Sequence, residues 1–139
     1  MLNCLSGISS TTAALNAERI RMDVIGQNIA NAQTTRAANG QPYQRQQVVF
    51  ETVLQNQDPT APATVQFARV EADPRPPQFV YNPGHPDADA RGMVAMPNIN
   101  VHEEMADLLV ASRAFEANLA VVRNARTLAM QSLAIGKRA

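Results

Sequence analysis

All nine prolines fall between residues 42 and 97. A proline inside a helix costs about 3 kcal/mol, because it lacks an N–H and its ring meets the preceding turn. The chain is thereby divided in three. Its two ends can be long helices, and its middle cannot.

Each end carries a helical repeat. Met1, Ile8, Leu15, Met22 and Ile29 recur at heptad spacing, and Cys4, Thr11, Glu18 and Ile25 follow the first four at the complementary offset. This spacing predicts a helix over about 4–31 that packs in a left-handed coil, with Ile8, Leu15, Met22, Ile25 and Ile29 on its seam. Asn100 and Glu103 form a capping-box pair just after Pro97 and open a second helix, predicted over 101–135. Its seam runs through Val101, Met105, Leu108, Ser112, Phe115, Leu119, Val122, Arg126, Ala129 and Leu133. Gly136, Lys137 and Arg138 suit its end. In the middle, 42–54, 64–70, 78–81 and 93–96 read as short strands separated by turn clusters such as DPTAP and NPGHPDADARG. The expected fold is mainly α: two long terminal helices paired as an antiparallel coiled coil, with a small proline-rich β insert between them. In domain terms, 1–33 and 98–139 form the helical unit and 34–97 the insert.

A second apolar stripe lies off each seam. It comprises Ala13, Ala17, Ile20 and Val24 on the first helix, and Val110, Val121, Leu128 and Ile135 on the second. Burying one Val, Leu or Ile contributes about 1.5–3 kcal/mol, so a whole exposed stripe forfeits several. Either the insert folds back over these stripes or neighbouring subunits cover them. The second reading is preferred, because a small insert does not span a helix about 50 Å long. Ile20, Val24, Val110, Val121, Leu128 and Ile135 are therefore the expected inter-subunit stripe.

Near the end of the first helix, Gly26, Asn28 and Asn31 occupy places where better helix formers would be cheaper. Gly26 permits close approach of another backbone. Asn31 suits a helix C-terminus in left-handed conformation, with Asn28 in solvent. Alternatively, both amides bond the backbone of the following segment or of a neighbour.

Charge and composition exclude several classes. Twelve basic and twelve acidic residues cancel, so no net field favours nucleic acid or an anionic membrane. No apolar run approaches the roughly 20 residues of a membrane span, and the opening residues have no basic and apolar signal pattern. One cysteine, Cys4, excludes an intramolecular disulfide within this sequence. Pro83, Gly84, His85, Pro86, Asp87 and Asp89 read as a structural turn. Their spacing echoes a calcium loop, but the twelfth position is Asn98 where a bidentate Glu is required. His102-Glu103 has no second His four residues on. No catalytic, cofactor-binding or metal-binding residue is expected, and a metal-dependent enzyme is a distant third reading.

MDVIGQNIANAQTTR (22–36) resembles the N-terminal signature of bacterial flagellar axial proteins, with Asn28, Ile29, Ala30 and Asn31 as the shared motif. PYQRQQVVFE (42–51), YNPGHPDADARG (81–92), PNINVHEEMADLLVASRAFEAN (97–118) and LAIGK (133–137) extend the resemblance over nearly the whole chain and point to a rod member. The resemblance implies a structural subunit of the proximal rod, which transmits motor torque across the periplasm. It implies export from the cytoplasm by the flagellar type III apparatus without a cleaved signal peptide. The implied partners are other rod subunits, copies of itself and that export apparatus, with no nucleic acid, membrane insertion or small-molecule substrate. The alternatives are a different rod or hook axial protein and a soluble coiled-coil adaptor or chaperone dimer.

Overall fold

The computed structural model describes the backbone of residues 2–53 and 64–136, and side chains at 10–50 and 69–136. The elements in chain order are α1 (Leu2–Ala30), β1 (Gln46–Val53), β2 (Thr64–Ala72), β3 (Gln78–Tyr81), β4 (Met93–Met96) and α2 (Val101–Gly136). The proline-bounded division of the chain and the four strand positions agree with the sequence reading. Cys4 and Ile8 of the expected seam and the DPTAP turn lie outside the described side chains or residues.

α2 starts where its cap predicts. Asn100 Oδ1 accepts from the His102 N–H at 3.1 Å, satisfying a free donor of the first turn, and Asn100 Nδ2 donates to Glu103 Oε1 at 3.0 Å. The first turn also holds Glu103 and Glu104, which complement the positive end of the helix dipole.

The helices pack side by side and run antiparallel, since Asn28 meets Glu104 while Arg21 lies 3.9 Å from Asp107. α2 has 36 residues against 29 in α1. With Asn28 opposite Glu104, the last turns of α2 therefore run past the start of α1.

The strands form two antiparallel pairs rather than one sheet. β1 and β2 align Gln46 with Ala72 and Phe50 with Ala68, with a register shift between Glu51 and Thr52. β3 and β4 align Gln78 with Met96 and Tyr81 with Met93. The β1–β2 hairpin packs against α1. Among the described residues the buried apolar side chains are Ala17, Val24 and Ile25 of α1, Ala111 of α2, Val94 of β4, and Pro97 just before α2. That is a thin core for so long a helix pair.

Burial corrects the expected seam by one residue. On α2, Leu108, Phe115, Leu119 and Val122 are half-buried, but Met105 is 54 % exposed and Leu133 67 %. The column that faces α1 beside Leu108 and Phe115 is Glu104 and Ala111. An apolar periodicity cannot register a buried glutamate, so it selected the neighbouring column. Leu133 is wet because it stands on the overhanging end of α2. On α1, Leu15, Met22 and Ile29 are half-buried and Ile25 is buried.

The outward stripe divides. Val24, expected to await a neighbour, is buried within the chain, as is Ala17, because α1 is covered by α2 on one side and by the hairpin on another. For that half, the insert does fold back. Ile20, Val110, Val121, Leu128 and Ile135 remain exposed. Gly26 also departs from expectation: a Cβ there would meet nothing within 4 Å, so the single chain makes no close approach at that point.

Candidate functional site

Asn28 and Glu104 are only 1 % and 2 % exposed, and they touch where α1, α2 and the root of the β1–β2 hairpin converge. A buried amide and a buried carboxylate are costly unless every polar atom is paired. Here they are. Asn28 Nδ2 donates to the Gln46 carbonyl at 2.8 Å and to Glu104 Oε2 at 3.1 Å. Asn28 Oδ1 accepts from the Gln46 N–H at 2.9 Å and from the Tyr43 hydroxyl at 3.1 Å.

Both main-chain groups of Gln46, the first residue of β1, thus meet one side-chain amide. The amide stands in for a neighbouring strand at the edge of β1. Of the two readings of Asn28, exposure to solvent is therefore wrong, and bonding to the backbone of the following segment is what the chain adopts. Asn31 plays a local part. Its Nδ2 donates at 2.9 Å to the Gln27 carbonyl, which also accepts the Asn31 main-chain N–H at 3.0 Å, and its Oδ1 accepts from Thr34 Oγ1 at 3.1 Å. Ile29 is half-buried and Ala30 is exposed.

The polar cluster continues outward through Arg45. Its Nε donates to Glu104 Oε1 at 2.7 Å, and its Nη1 reaches Asp73 Oδ2 at 3.3 Å. Asp73 stands just beyond β2, and its N–H donates to the Arg45 carbonyl at 2.7 Å. Arg75 closes the series, with Nη2 2.7 Å from Asp73 Oδ2 and its main-chain N–H 3.0 Å from Oδ1. The four charges, Arg45, Arg75, Asp73 and Glu104, balance. The hydrogen bonds from Arg75 outweigh the effect of burial and hold the Asp73 carboxyl down to about 2. Burial, and then the negative charge of Glu104, raise the Tyr43 phenol above its ordinary value. A groove of about 490 Å³ lies outside this cluster, lined by Tyr43, Arg45, Asp73, Arg75, Pro76 and Asn98 among others.

The expected turn is a second anchor. The Asp87 N–H donates to His85 Nδ1 at 3.1 Å, and Asp89 Oδ1 accepts from the N–H groups of Arg91 and Met93, each at 2.8 Å. Gly92 closes it at φ +74°, where a Cβ would stand 3.0 Å from the Tyr81 ring and 3.1 Å from Pro83. The Asp87 carboxylate accepts from Thr35 Oγ1 at 2.8 Å, with Arg36 at 3.7 Å. The turn therefore fastens the segment that leaves α1. Pro83, Gly84 and Pro86 lie exposed along it. Among the described residues, no three His, Cys, Asp or Glu side chains gather as a metal site would require.

Residues 9–37 match the family model described as flagella basal body rod protein, and residues 90–135 match that of the flagellar basal body rod FlgEFG protein C-terminal region. The FlgC flagellar basal-body rod protein of Borreliella burgdorferi is 37 % identical, over 96 % of this chain and 98 % of its own. The chain belongs to the FlgC family of flagellar basal-body rod proteins. FlgC of Yersinia enterocolitica is 38 % identical over 90 % of this chain and 92 % of its own, and FlgC of Bacillus subtilis 34 % over 98 % and 100 %. Asn28 lies in the first matched segment and Glu104 in the second, so their bond joins the two.

Sequence reasoning singled out Asn28 but missed Glu104, Arg45, Asp73 and Tyr43. One signal was available. Positions 104, 111, 118 and 125 form a heptad column of Glu, Ala, Asn and Ala beside a good apolar column. A charged residue amid small ones invites a search for an arginine and an amide elsewhere.

Proposed function

We propose that this chain, a structural subunit of the flagellar basal-body rod and not an enzyme, polymerises through the exposed apolar flanks of α2. Its neighbours in this reading are copies of itself and related rod subunits. The α1–α2 pair, 1–33 with 98–139, forms an inner coiled-coil layer of the proximal rod, and 34–97 stands outside it. The assembled tube carries motor torque across the periplasm. The subunit reaches it through the flagellar export apparatus without loss of a signal peptide.

The observation that carries this reading is the placement of exposed apolar side chains on α2. At 100° per residue, Val110, Val121, Leu128 and Ile135 fall within about 40° of one another. They lie about 110° round the helix from the Glu104–Ala111 column. Met105, Leu109 and Met130 are exposed about as far round on the other side. A closed adaptor dimer needs one such flank. A helix already occupied along its seam and apolar on both flanks suits a wall with neighbours on either side. No described helix is long and apolar enough to cross a membrane.

Leu128, 63 % exposed in the single chain, tests the reading. Leu128→Asp places a carboxylate where a neighbour would bury it, at a cost on the order of 3 kcal/mol repeated at each subunit. The subunit is expected to remain soluble, folded and exported, while rods fail to complete and cells do not swim. Leu119→Asp, on the half-buried side, damages the helix pair itself. Normal rods and swimming with Leu128→Asp remove this flank as an assembly surface.

A further inference from the structure

The joint at Asn28, Arg45 and Glu104 contains more information than a set of satisfied polar groups. Every hydrogen bond in it has a fixed direction. Glu104 accepts at both oxygens, from Arg45 Nε and from Asn28 Nδ2. Asn28 cannot turn its amide over, because Oδ1 is held by two donors, the Gln46 N–H and the Tyr43 hydroxyl. Arg45 cannot reverse either, since a guanidinium only donates. The centre is thus an acceptor-only carboxylate clasped between two groups whose donors are committed to it.

The three residues come from three bodies: α1, the segment that enters β1, and α2. The other charged group that meets Arg45 is Asp73, which follows β2. Arg45 therefore bridges the end of β2 to α2 through one side chain. The Arg21–Asp107 pair also spans the helices nearby, but at 3.9 Å between partly exposed groups it adds little direction.

We infer that Asn28, Arg45 and Glu104 act as a directional latch that holds the β1–β2 hairpin and the helix pair as one rigid body before any assembly takes place. With the latch closed, hairpin and helices keep one mutual orientation. With either donor–acceptor direction broken, the hairpin stays folded on its own ladder and against α1, but its angle to α2 is no longer fixed. The latch acts inside a single chain, so its test needs no assembly partner and its failure leaves the rod reading intact.

The direction of the bonds supplies the test. Glu104→Gln keeps the shape but turns one oxygen into an NH₂ that faces either Arg45 Nε–H or Asn28 Nδ2–H, donor against donor. Asn28→Asp combined with Glu104→Gln restores the pairing with its polarity reversed. The new amide at position 104 then donates to the new carboxylate at position 28, while its carbonyl oxygen still accepts from Arg45. The carboxylate at 28 still accepts from the Gln46 N–H and the Tyr43 hydroxyl, but its second oxygen also faces the Gln46 carbonyl, acceptor against acceptor. Spin labels attached at Val70→Cys on β2 and Glu116→Cys on α2, in a Cys4→Ser background of the full chain, report the spread of hairpin-to-helix distances by pulsed electron resonance. Glu104→Gln is expected to widen that distribution clearly with helical circular dichroism unchanged, because a buried donor is left without a partner. The double variant restores the 28–104 pairing but not the bond to the Gln46 carbonyl, so it is expected to narrow the distribution part of the way back toward the wild-type width. Arg45→Lys, which reaches Glu104 or Asp73 but not both, should widen it, and Asp107→Asn should not. A narrow distribution in Glu104→Gln or Arg45→Lys overturns the latch. So does a double variant as broad as the single, which would reduce the cluster to ordinary packing.

Discussion

Replacing Asn28 with alanine isolates the cost of the joint, because helix propensity pushes the other way. Alanine is the better helix former by about 0.6 kcal/mol. Against that gain, four hydrogen bonds disappear at once. The Gln46 N–H, the Gln46 carbonyl and the Tyr43 hydroxyl are part-buried, and each loses about 1 kcal/mol when left without a partner. Glu104 Oε2 is a charged, buried acceptor, and a bond to a charged group is worth about 1.5–3 kcal/mol. Water entering the space left by the amide recovers some of this. The expected net loss is about 3–4 kcal/mol. In a urea titration followed by circular dichroism, at a slope of about 1.5 kcal/mol/M, the midpoint falls by about 2 M. Asn124→Ala, at an exposed position of α2, is the matched control and should be neutral or slightly stabilising. If Asn28→Ala lies within about 0.5 kcal/mol of the wild type, the amide is not a structural pairing group and the account of this site is wrong.

Gly26→Ala should stabilise the free chain by about 0.5–1 kcal/mol, since a Cβ there meets nothing within 4 Å. If the same variant also assembles into rods normally, no neighbour's backbone approaches Gly26. Stability should depend on pH at both extremes, with the signs set by Asp73 in acid and Tyr43 in alkali. Asp73 is depressed to about 2 from an ordinary 3.8, so its contribution is present above 3.8 and lost as the pH falls toward 2. Asp73 is covered mainly by two arginines, and solvent screening leaves that contribution on the order of 1 kcal/mol. Arg75→Gln should remove most of it in acid urea titrations. Tyr43 is raised from an ordinary 10.0, so its contribution is present below 10.0 and lost as the pH rises through the higher folded value. Tyr43→Phe should flatten the alkaline limb, and an unchanged limb would contradict the burial of that phenol against Glu104.

The features legible in the sequence were those encoded in one residue type or one period. Nine clustered prolines placed the boundaries, the Asn100–Glu103 pair placed the start of α2, and β-branched runs between turn clusters placed four strands. The inward seam of α1 was legible in Leu15, Met22, Ile25 and Ile29, but the column of α2 that meets it and the further burial on α1 were not. On α2 the apolar column through Met105 competes with the Glu104–Ala111 column beside it, which turns inward although Glu104 is a residue whose type argues for solvent. On α1 the fate of Val24 depends on the hairpin, whose pairing joins residues such as Gln46 and Ala72 far apart in sequence. The cluster combines residues 28, 43, 45, 73, 75 and 104, and no short window contains more than two of them. Each taken singly reads as an ordinary surface residue.

The two ends of the helix pair are consequently built on different terms. At the Asn28–Glu104 end, the amide, the carboxylate and Arg45 satisfy one another within the chain, and directional bonds specify a single arrangement. Toward Ile135 no such group exists among the described residues. Of the large exposed apolar side chains there, Leu128, Leu133 and Ile135 are aliphatic, and aliphatic contact is non-directional and tolerant of small changes in register. A subunit that joins a helical tube needs both properties in different places. Its own shape has to be fixed, or errors of angle accumulate from one copy to the next. Its contacts have to accept neighbours that are related without being identical. In the assembly proposed above, a buried polar joint serves the first need and a Val–Leu–Ile flank the second. On this argument the specificity of the fold and the adaptability of the assembly are separated along one helix, α2, with Glu104 near its start and Leu128 and Ile135 near its end.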